Sequence, residues 1–197
     1  MCSEKLIKLV KLRRKIISKE FYTVDIAGRA EDLPVIALSN ELSIAFFNLH
    51  GNSELTEYCG KKLAEILAKM DIEVLITAES KGLQLTHVVA RELGHKFYAA
   101  ARKSHKLYMK DGISSSVNSI TTGSIQTLYL SAHDVNLIKG KKVAIVDDVI
   151  STGGSVTGLE TLVKDAGGIV SAKAVGLAEG DAADRSDIVY LGKIPLV

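Results

Sequence analysis

Short apolar runs alternate along most of the chain with segments in which apolar residues recur every three or four positions. The first pattern is typical of strands covered on both faces, and the second of helices that bury one face. The predicted strands of this part are Val74–Ala78, Phe97–Ala101, Gln126–Leu130, Val143–Val146, Ile169–Leu177 and Ile188–Leu191. Helical periodicity runs from Ser53, which is the expected N-cap, through Met70, then up to Gly94, and from Ser155 to Gly167. The alternation predicts an α/β fold built on a doubly wound parallel sheet.

The first 52 residues follow a different pattern. Ser3–Lys19 places apolar residues between basic ones, which predicts an amphipathic helix that docks on the protein's own core or on a partner. Contact with an anionic membrane is the alternative. Three short segments, Thr23–Ile26, Val35–Leu38 and Ser43–Phe47, predict a small antiparallel lobe beside the main sheet. The predicted organisation is therefore an N-terminal helix and lobe over residues 1–52 and a core over 53–197.

Composition and charge narrow the classes of function. The 197 residues are 47% hydrophobic and 24% charged, which fits one globular domain. A net charge of +2 predicts no nucleic-acid partner. No apolar stretch approaches about 20 residues and no signal-peptide core is present, so we expect no membrane contact and a cytoplasmic location. Cys2 and Cys59 give no disulfide framework, and the five histidines show no metal-ligand spacing.

The segment Val143–Ser155, VAIVDDVISTGGS, carries the most chemistry. Its apolar run predicts a buried strand with Asp147 and Asp148 at the carboxyl end, the edge where open α/β sheets bind ligands. Glycines and hydroxyls then precede a predicted helix start, where free N–H groups suit a phosphate. No lysine follows Gly154, which argues against a nucleoside-triphosphate P-loop. Two solvated acids and an ordinary glycine turn are the alternative interpretation.

This segment resembles the phosphoribosyl pyrophosphate (PRPP) signature of the type I phosphoribosyltransferases. The resemblance extends over about Asn48 to Leu191 and implies that Asp147 and Asp148 hold the ribose hydroxyls as catalytic residues. It implies a 5′-phosphate site at Ser151, Thr152, Gly153, Gly154 and Ser155. Val149 and Ile150, which follow the acids, are candidate flanks for a purine ring. The N-terminal lobe would form a hood over the base.

Two further segments resemble the pyrophosphate site of the purine members of this family. The loop Thr77–Gly82, TAESKG, offers Ser80, Lys81 and Gly82 as ligands, with Glu79 as an orienting residue. The next strand ends in Arg102 and Lys103, with Lys106 close by, and these cations match pyrophosphate. The alternative is a basic strand end in solvent.

Residues 104–124 are rich in Ser, Thr and Gly and poor in core-forming residues, which predicts a loop without regular structure. In the family the equivalent loop is a lid that excludes water. Lys106 and Lys110 would then reach the pyrophosphate, and His105 would touch substrate. Simple surface disorder is the alternative.

The reaction implied by the resemblance is displacement of pyrophosphate from the ribose C1 by a purine nitrogen. Magnesium would be bound mainly through PRPP and pyrophosphate, with no metal ligand assigned to the protein. Adenine is favoured, although Gly112–Gln126 lacks the glutamate of the adenine enzymes. Ser151 stands where oxopurine enzymes often carry an acid and so departs from their pattern too; hypoxanthine/guanine and xanthine are the alternative bases.

A non-catalytic regulator that binds PRPP is the second class of function. Some purine-operon repressors keep this signature, and their loops resemble Ser116–Leu130. Those repressors add a DNA-binding domain of which we see no sign before the first strand. The family resemblance also implies a homodimer.

Overall fold

The structure is a computed structural model that describes residues 21–39, 42–119 and 124–196. The strands are β1 (Phe21–Ile26), β2 (Arg29–Ala37), β3 (Ser43–Ala45), β4 (Val74–Ala78), β5 (Ala99–Ala101), β6 (Ile113–Ser119), β7 (Ser124–Leu130), β8 (Lys142–Ile150), β9 (Ile169–Glu179) and β10 (Val189–Ile194). The helices are α1 (Ser53–Leu67), α2 (Gly82–Glu92), α3 (Ala132–Ile138) and α4 (Gly154–Asp165), with a 3₁₀ helix at Gly180–Asp184. The helix predicted at Ser3–Lys19 lies outside the described residues.

The central sheet is parallel, with the strand order β10-β9-β8-β4-β5. From β4 the chain passes through α2 to β5 at one edge, whereas from β8 it passes through α4 to β9 and β10 toward the other. The direction of winding therefore reverses between β4 and β8. In such sheets this switch point opens a crevice at the carboxyl ends of the strands. The predicted doubly wound α/β fold is confirmed.

Each face of the sheet has its own core. On one face Leu75, Ala144 and Val146 pack with buried residues of α1 and α2, such as Leu63 and Val89. The other face packs against α3, α4 and β7, and its members include Ile76, Ile145, Leu159, Leu128 and Ile138. The apolar residues of β4 and β8 thus serve both faces, as their unbroken runs predict.

The N-terminal strands form the predicted antiparallel sheet, in the order β1-β2-β3. Val24 and Ile26 of β1 are buried in the same core cluster as Leu191 of β10. The amide of Ala27 donates to the carbonyl of Leu191 at 2.9 Å. The small sheet is therefore packed directly against the edge of the main one.

The predicted loop at 104–124 is only partly a loop. β6 pairs with β7 in an antiparallel hairpin that includes the register Ser115↔Leu128, so the expectation of a segment without regular structure is wrong for residues 113–119. The hairpin is anchored because Leu128 and Leu130 of the partner strand are 1% and 0% exposed. Because β7 forms a two-stranded sheet with β6, it lies outside the parallel sheet.

Several boundaries also differ from the sequence prediction, and strand pairing and helix capping explain two of them. β8 extends through the two acids to Ile150, because its pairing with β9 continues to Ile150↔Ala178. Helix α1 is capped by Asn52 rather than Ser53, since the Asn52 side chain accepts the amide of Leu55 at 3.1 Å.

Candidate functional site

The acid pair lies where β8 has lost one of its two neighbours. Pairing between β4 and β8 ends at Ile76↔Ile145, whereas β8 stays paired with β9 beyond Asp147. Asp147 and Asp148 thus stand on the side that opens toward the switch-point crevice. The continued pairing on the other side fixes their backbone, so the two carboxyl groups project from a rigid strand.

Both acids are largely removed from solvent, with 7% of each residue exposed. The amide of Asp148 donates to Oδ1 of Asp147 at 2.9 Å. Burial, followed by the negative charge of Asp148, raises the pKa of Asp147 well above its usual range. Lys81 forms an ion pair with one of the two acids, since its Nζ lies 3.4 Å from Asp148 Oδ2.

The turn after β8 has the shape of an anion cradle. Residues 151–153 connect β8 to α4, and Gly153 takes the left-handed conformation with φ +84°. Glycine adopts this conformation without the steric cost of a Cβ. The turn presents the hydroxyl residues Ser151, Thr152 and Ser155 together with the free amides at the start of a helix of 12 residues. Amides and a helix dipole in this arrangement suit a phosphate.

A second loop, residues 79–81, joins β4 to α2 beside the acids. The Glu79–Ser80 peptide bond is cis. A Cβ on Gly82 would overlap the side chain of Thr77 and lie 3.0 Å from Asp147 Oδ1. Only glycine therefore lets the amino end of α2 approach the acid pair this closely.

Glu79 ties this loop to the basic end of β5. Its Oε1 lies 2.9 Å from Arg102 Nη2, and its Oε2 accepts the amide of Lys103 at 3.1 Å. Arg102 also donates to the Tyr108 hydroxyl at 3.0 Å and exchanges backbone hydrogen bonds with Tyr129. Glu79 thus links the loop after β4 to the basic end of β5, and its orienting role toward pyrophosphate stays a prediction.

Unsatisfied polar atoms cluster at this edge of the sheet. Among the described residues, the buried side-chain atoms without a hydrogen-bond partner are Thr77 Oγ1, His95 Nδ1, Arg102 Nε and Asp148 Oδ2. Three of them belong to residues at or just beyond the ends of β4, β5 and β8. Since a buried orphan polar atom costs about 1–3 kcal/mol, this clustering indicates a place built for a polar ligand.

The acid pair fits a magnesium ion only in part. Carboxylate oxygens are the ligands magnesium prefers, and Asp148 Oδ2 makes no hydrogen bond beyond its ion pair with Lys81. Within residues 21–39, 42–119 and 124–196, no group of three or more His, Cys, Asp or Glu side chains could hold a metal. An ion here would need most of its ligands from phosphate oxygens and water.

The predicted flanks of the purine separate in the structure. Val149 is half-buried and packs at the margin of the core on the α1 and α2 face. Ile150 is 1% exposed and lies in the opposite core cluster with Val156 and Leu159. A flanking role for Ile150 therefore does not fit its position.

The remaining predicted residues lie in the segment after β5. Lys103 is exposed, and its charge acts on Asp147. Lys106 is half-buried in a turn in which its carbonyl accepts the amide of Met109 at 2.9 Å. His105 packs edge-on against Tyr129, and its Nε2 lies 3.0 Å from the carbonyl of Met109.

Phe46 is a site residue that the sequence did not single out. Its ring centroid lies 5.3 Å from Lys81 Nζ, and Lys81 in turn pairs with Asp148. The segment that directly follows β3 thereby brings an aromatic ring to the lysine that pairs with Asp148. The available signal was the Phe46–Phe47 pair at the end of a predicted strand, of which Phe47 is buried.

The chain is similar in sequence to known phosphoribosyltransferases. The family model described as "Phosphoribosyl transferase domain" matches residues 48–188. A xanthine phosphoribosyltransferase of Brevibacillus brevis is 32% identical over 123 residues, which are 62% of this chain and 62% of that protein. An adenine phosphoribosyltransferase of Fervidobacterium nodosum is 34% identical over 123 residues, 62% of this chain and 69% of that protein. The alignment with the Brevibacillus protein thus spans less than two thirds of its length.

Solved structures show the same fold. The adenine phosphoribosyltransferase of Thermoanaerobacter pseudethanolicus superposes with a TM-score of 0.64 at 20% identity, covering 91% of this chain and 99% of that one. The adenine phosphoribosyltransferase of Trypanosoma brucei, solved with AMP, pyrophosphate and ribose-5-phosphate, superposes with a TM-score of 0.62 at 18% identity, covering 93% of this chain and 79% of that one.

None of the helices within residues 21–39, 42–119 and 124–196 has the length and the apolar character that a membrane span requires.

Proposed function

The chain belongs to the phosphoribosyl transferase family, and we propose that it transfers the 5-phosphoribosyl group of PRPP to a purine base, with adenine favoured. The products are the nucleoside monophosphate and pyrophosphate. One observation carries this proposal: the acid pair, the glycine turn and the loop after β4 converge at the switch point between β4 and β8.

The acid pair and the glycine turn are proposed to hold the phosphorylated sugar. Asp147 and Asp148 accept hydrogen bonds from the two ribose hydroxyls, and residues 151–155 surround the 5′-phosphate. As pyrophosphate leaves, positive charge develops on the ribose ring. Carboxylates in a water-poor site stabilise that charge more strongly than water does, because they are already oriented.

Pyrophosphate is proposed to lie over the loop after β4. Ser80, Lys81 and Gly82 offer a cation and amides, and Arg102 and Lys103 close the other side. Magnesium fits here as a counter-ion carried mainly by PRPP and pyrophosphate, and Asp147 or Asp148 would reach it through water. It would neutralise the departing phosphate oxygens. Lys81 must then divide its charge between Asp148 and the leaving group.

The purine is proposed to lie between Val149 and Phe46. Phe46 reaches the site from the small antiparallel sheet, which acts as a hood. The relatives are adenine and xanthine enzymes, and Ser151 departs from the acid found in oxopurine enzymes. Adenine is therefore the favoured base, with hypoxanthine, guanine and xanthine as alternatives.

The contribution of Phe46 is testable by substitution. Phe46→Ala is expected to raise KM for the purine about tenfold, because stacking of a base on an aromatic ring is worth about 1–3 kcal/mol. KM for PRPP should change little. Phe97→Ala, an exposed ring that precedes the amino end of β5, is the matched control. Equal changes in both KM values would place Phe46 in the packing of the lobe rather than at the base.

An assay with defined substrates tests the proposed reaction. The protein is mixed with magnesium, PRPP and, separately, adenine, hypoxanthine, guanine or xanthine, and nucleotide and pyrophosphate are quantified. We expect equal amounts of nucleoside monophosphate and pyrophosphate, fastest with adenine. PRPP binding without nucleotide from any base would instead identify a regulator that senses PRPP.

A homodimer is also proposed. The small sheet and its loop expose large apolar side chains, namely Phe21, Ile36, Leu38 and Leu42, at 53%, 40%, 59% and 41%. An exposed apolar patch of this kind is typical of an association surface. Sedimentation equilibrium should give twice the chain mass of 21.2 kDa, and Leu38→Lys should shift the protein toward monomer.

A further inference from the structure

The segment between β9 and β10 brings an arginine to the glycine turn. Arg185 follows the 3₁₀ helix Gly180–Asp184, far from the turn in sequence. Its Nη1 lies 2.9 Å from the position that a Cβ on Gly153 would occupy. Gly153 thus meets two demands, since it adopts a positive φ and leaves room for the guanidinium.

The guanidinium is held in place by a carboxylate. Arg185 donates from Nε to Oδ1 of Asp187 at 3.0 Å and from Nη2 to Oδ2 at 2.9 Å. These two parallel bonds form a bidentate fork, which fixes the plane of the guanidinium. The bonds from Arg185 and then from Lys173 hold the pKa of Asp187 far below its usual range, so this carboxylate stays charged.

The acidic side chains near Arg185 do not occupy its Nη1. Lys173 Nζ lies 2.6 Å from Asp187 and 2.5 Å from Glu160, so these two carboxylates are shared between two cations, Lys173 and Arg185. No acceptor for Nη1 of Arg185 is found in the part of the chain that the structure describes. The side chain of Arg185 is 35% exposed, which leaves it accessible to an anion in the turn.

We propose that Arg185 binds the 5′-phosphate of PRPP as the cationic partner of the glycine turn. The inference deepens the proposed function and rests on it. Residues 151–155 are Ser-Thr-Gly-Gly-Ser and carry no positive charge, whereas a phosphate monoester brings about two negative charges. Arg185 supplies the missing charge from outside the motif, and Asp187 is the positioning residue that aims it.

Binding of two ligands to one set of variants tests this role. PRPP contains the 5′-phosphate and pyrophosphate contains only the leaving group, and each is titrated calorimetrically in magnesium. Arg185→Gln should weaken PRPP about tenfold or more, the usual loss for a charge-assisted hydrogen bond, and leave pyrophosphate nearly unchanged. Asp187→Asn keeps the cation but weakens the bidentate contact that orients it. Its affinity for PRPP should therefore lie between that of wild type and that of Arg185→Gln. Lys164→Gln, an exposed lysine in the last turn of α4, is the control.

Each other outcome overturns the inference. Unchanged PRPP affinity in Arg185→Gln would mean that the guanidinium only packs against the turn. Equal losses for PRPP and pyrophosphate would show a general effect on the fold. If Arg185→Gln does not fold, full PRPP affinity in Asp187→Asn and in Arg185→Lys would show that no aimed fork is needed. A wild-type protein that does not bind PRPP at all would refute the proposed function itself.

Discussion

The two adjacent aspartates illustrate a conflict between binding and stability at a single point of the chain. Each is 7% exposed, their carboxyl groups repel one another, and Lys81 at 3.4 Å from Asp148 compensates only in part. Burying two carboxyl groups with only one cation to compensate their charge lowers the free energy of unfolding. A ligand that brings hydroxyls and a metal ion would satisfy both acids, so the cost is consistent with a binding role.

Asp148→Asn tests the catalytic side of that conflict. We expect turnover to fall about 10²–10³-fold, because removal of one preorganised partner costs about 3–4 kcal/mol at the transition state. The fold should persist, since the amide has the shape of the carboxylate. Asp165→Asn, at the exposed end of α4, should keep full activity in the same steady-state assay. Full activity of Asp148→Asn would show that the acid is structural.

Asp147→Asn tests the stability side through pH. Because the pKa of Asp147 is raised in the folded state, the folded protein holds a proton that the unfolded chain releases above the ordinary value of 3.8. Wild-type stability contributed by this group is therefore present at low pH and is lost as pH rises through the raised pKa. The Tm advantage of Asp147→Asn over wild type should grow from pH 5 to pH 8.

The same melting curves contain the control for this prediction. Ser53→Ala, which removes no ionisable group, should differ from wild type by an amount that does not depend on pH. A Tm difference for Asp147→Asn that stays constant, or that shrinks as pH rises, would contradict the assigned direction of the shift.

At the scale of elements, the sequence pattern predicted those strands and helices whose formation depends on residues close together in the chain. The apolar runs of β4 and β8 and the glycines around α4 predicted those elements within a few residues. Residues 113–119 were missed because their order comes from pairing with β7, whose Leu128 and Leu130 are buried under another part of the fold. Arg185 was missed for a similar reason, since only the turn after β9 brings it to Gly153. Contacts between distant segments leave no periodic signal in the chain.

The start of α1 gives an element-scale test with a built-in control. Asn52→Ala should lower the free energy of unfolding by about 1 kcal/mol, because the amide of Leu55 loses its acceptor at the helix end. Ser53→Ala should be nearly neutral, since Ser53 is already the first helical residue. Urea unfolding measures both. The opposite ranking would restore Ser53 as the cap.

At the scale of the whole molecule, we expect the hood and the core to unfold as one cooperative unit. We propose residues 1–52 as the hood and 53–197 as the core, with the lid at 104–124 now including a hairpin. Val24 and Ile26 share a buried cluster with Leu191, and the Tyr58 hydroxyl donates to the carbonyl of Ala27 at 2.9 Å. The ring of Phe46, which directly follows β3, lies 5.3 Å from Lys81 Nζ and is a further contact between the small sheet and the core.

Gly192→Ala tests the junction between hood and core. A Cβ at this position would overlap the carbonyl oxygen of Asp25 and lie 3.0 Å from Leu177. Overpacking of this kind costs about 1–3 kcal/mol, and it should appear as one shifted cooperative unfolding transition. Lys193→Ala, an exposed neighbour, should leave the transition in place. Two separate transitions in the wild-type protein would show that the hood and core are independent.

The decisive measurement is a crystal structure of the protein with a nucleoside monophosphate bound. We expect the carboxylates of Asp147 and Asp148 within hydrogen-bond distance of the two ribose hydroxyls, and the phosphate among the amides of residues 151–155. Carboxylates that point away from the sugar, or a phosphate bound elsewhere, would contradict this expectation.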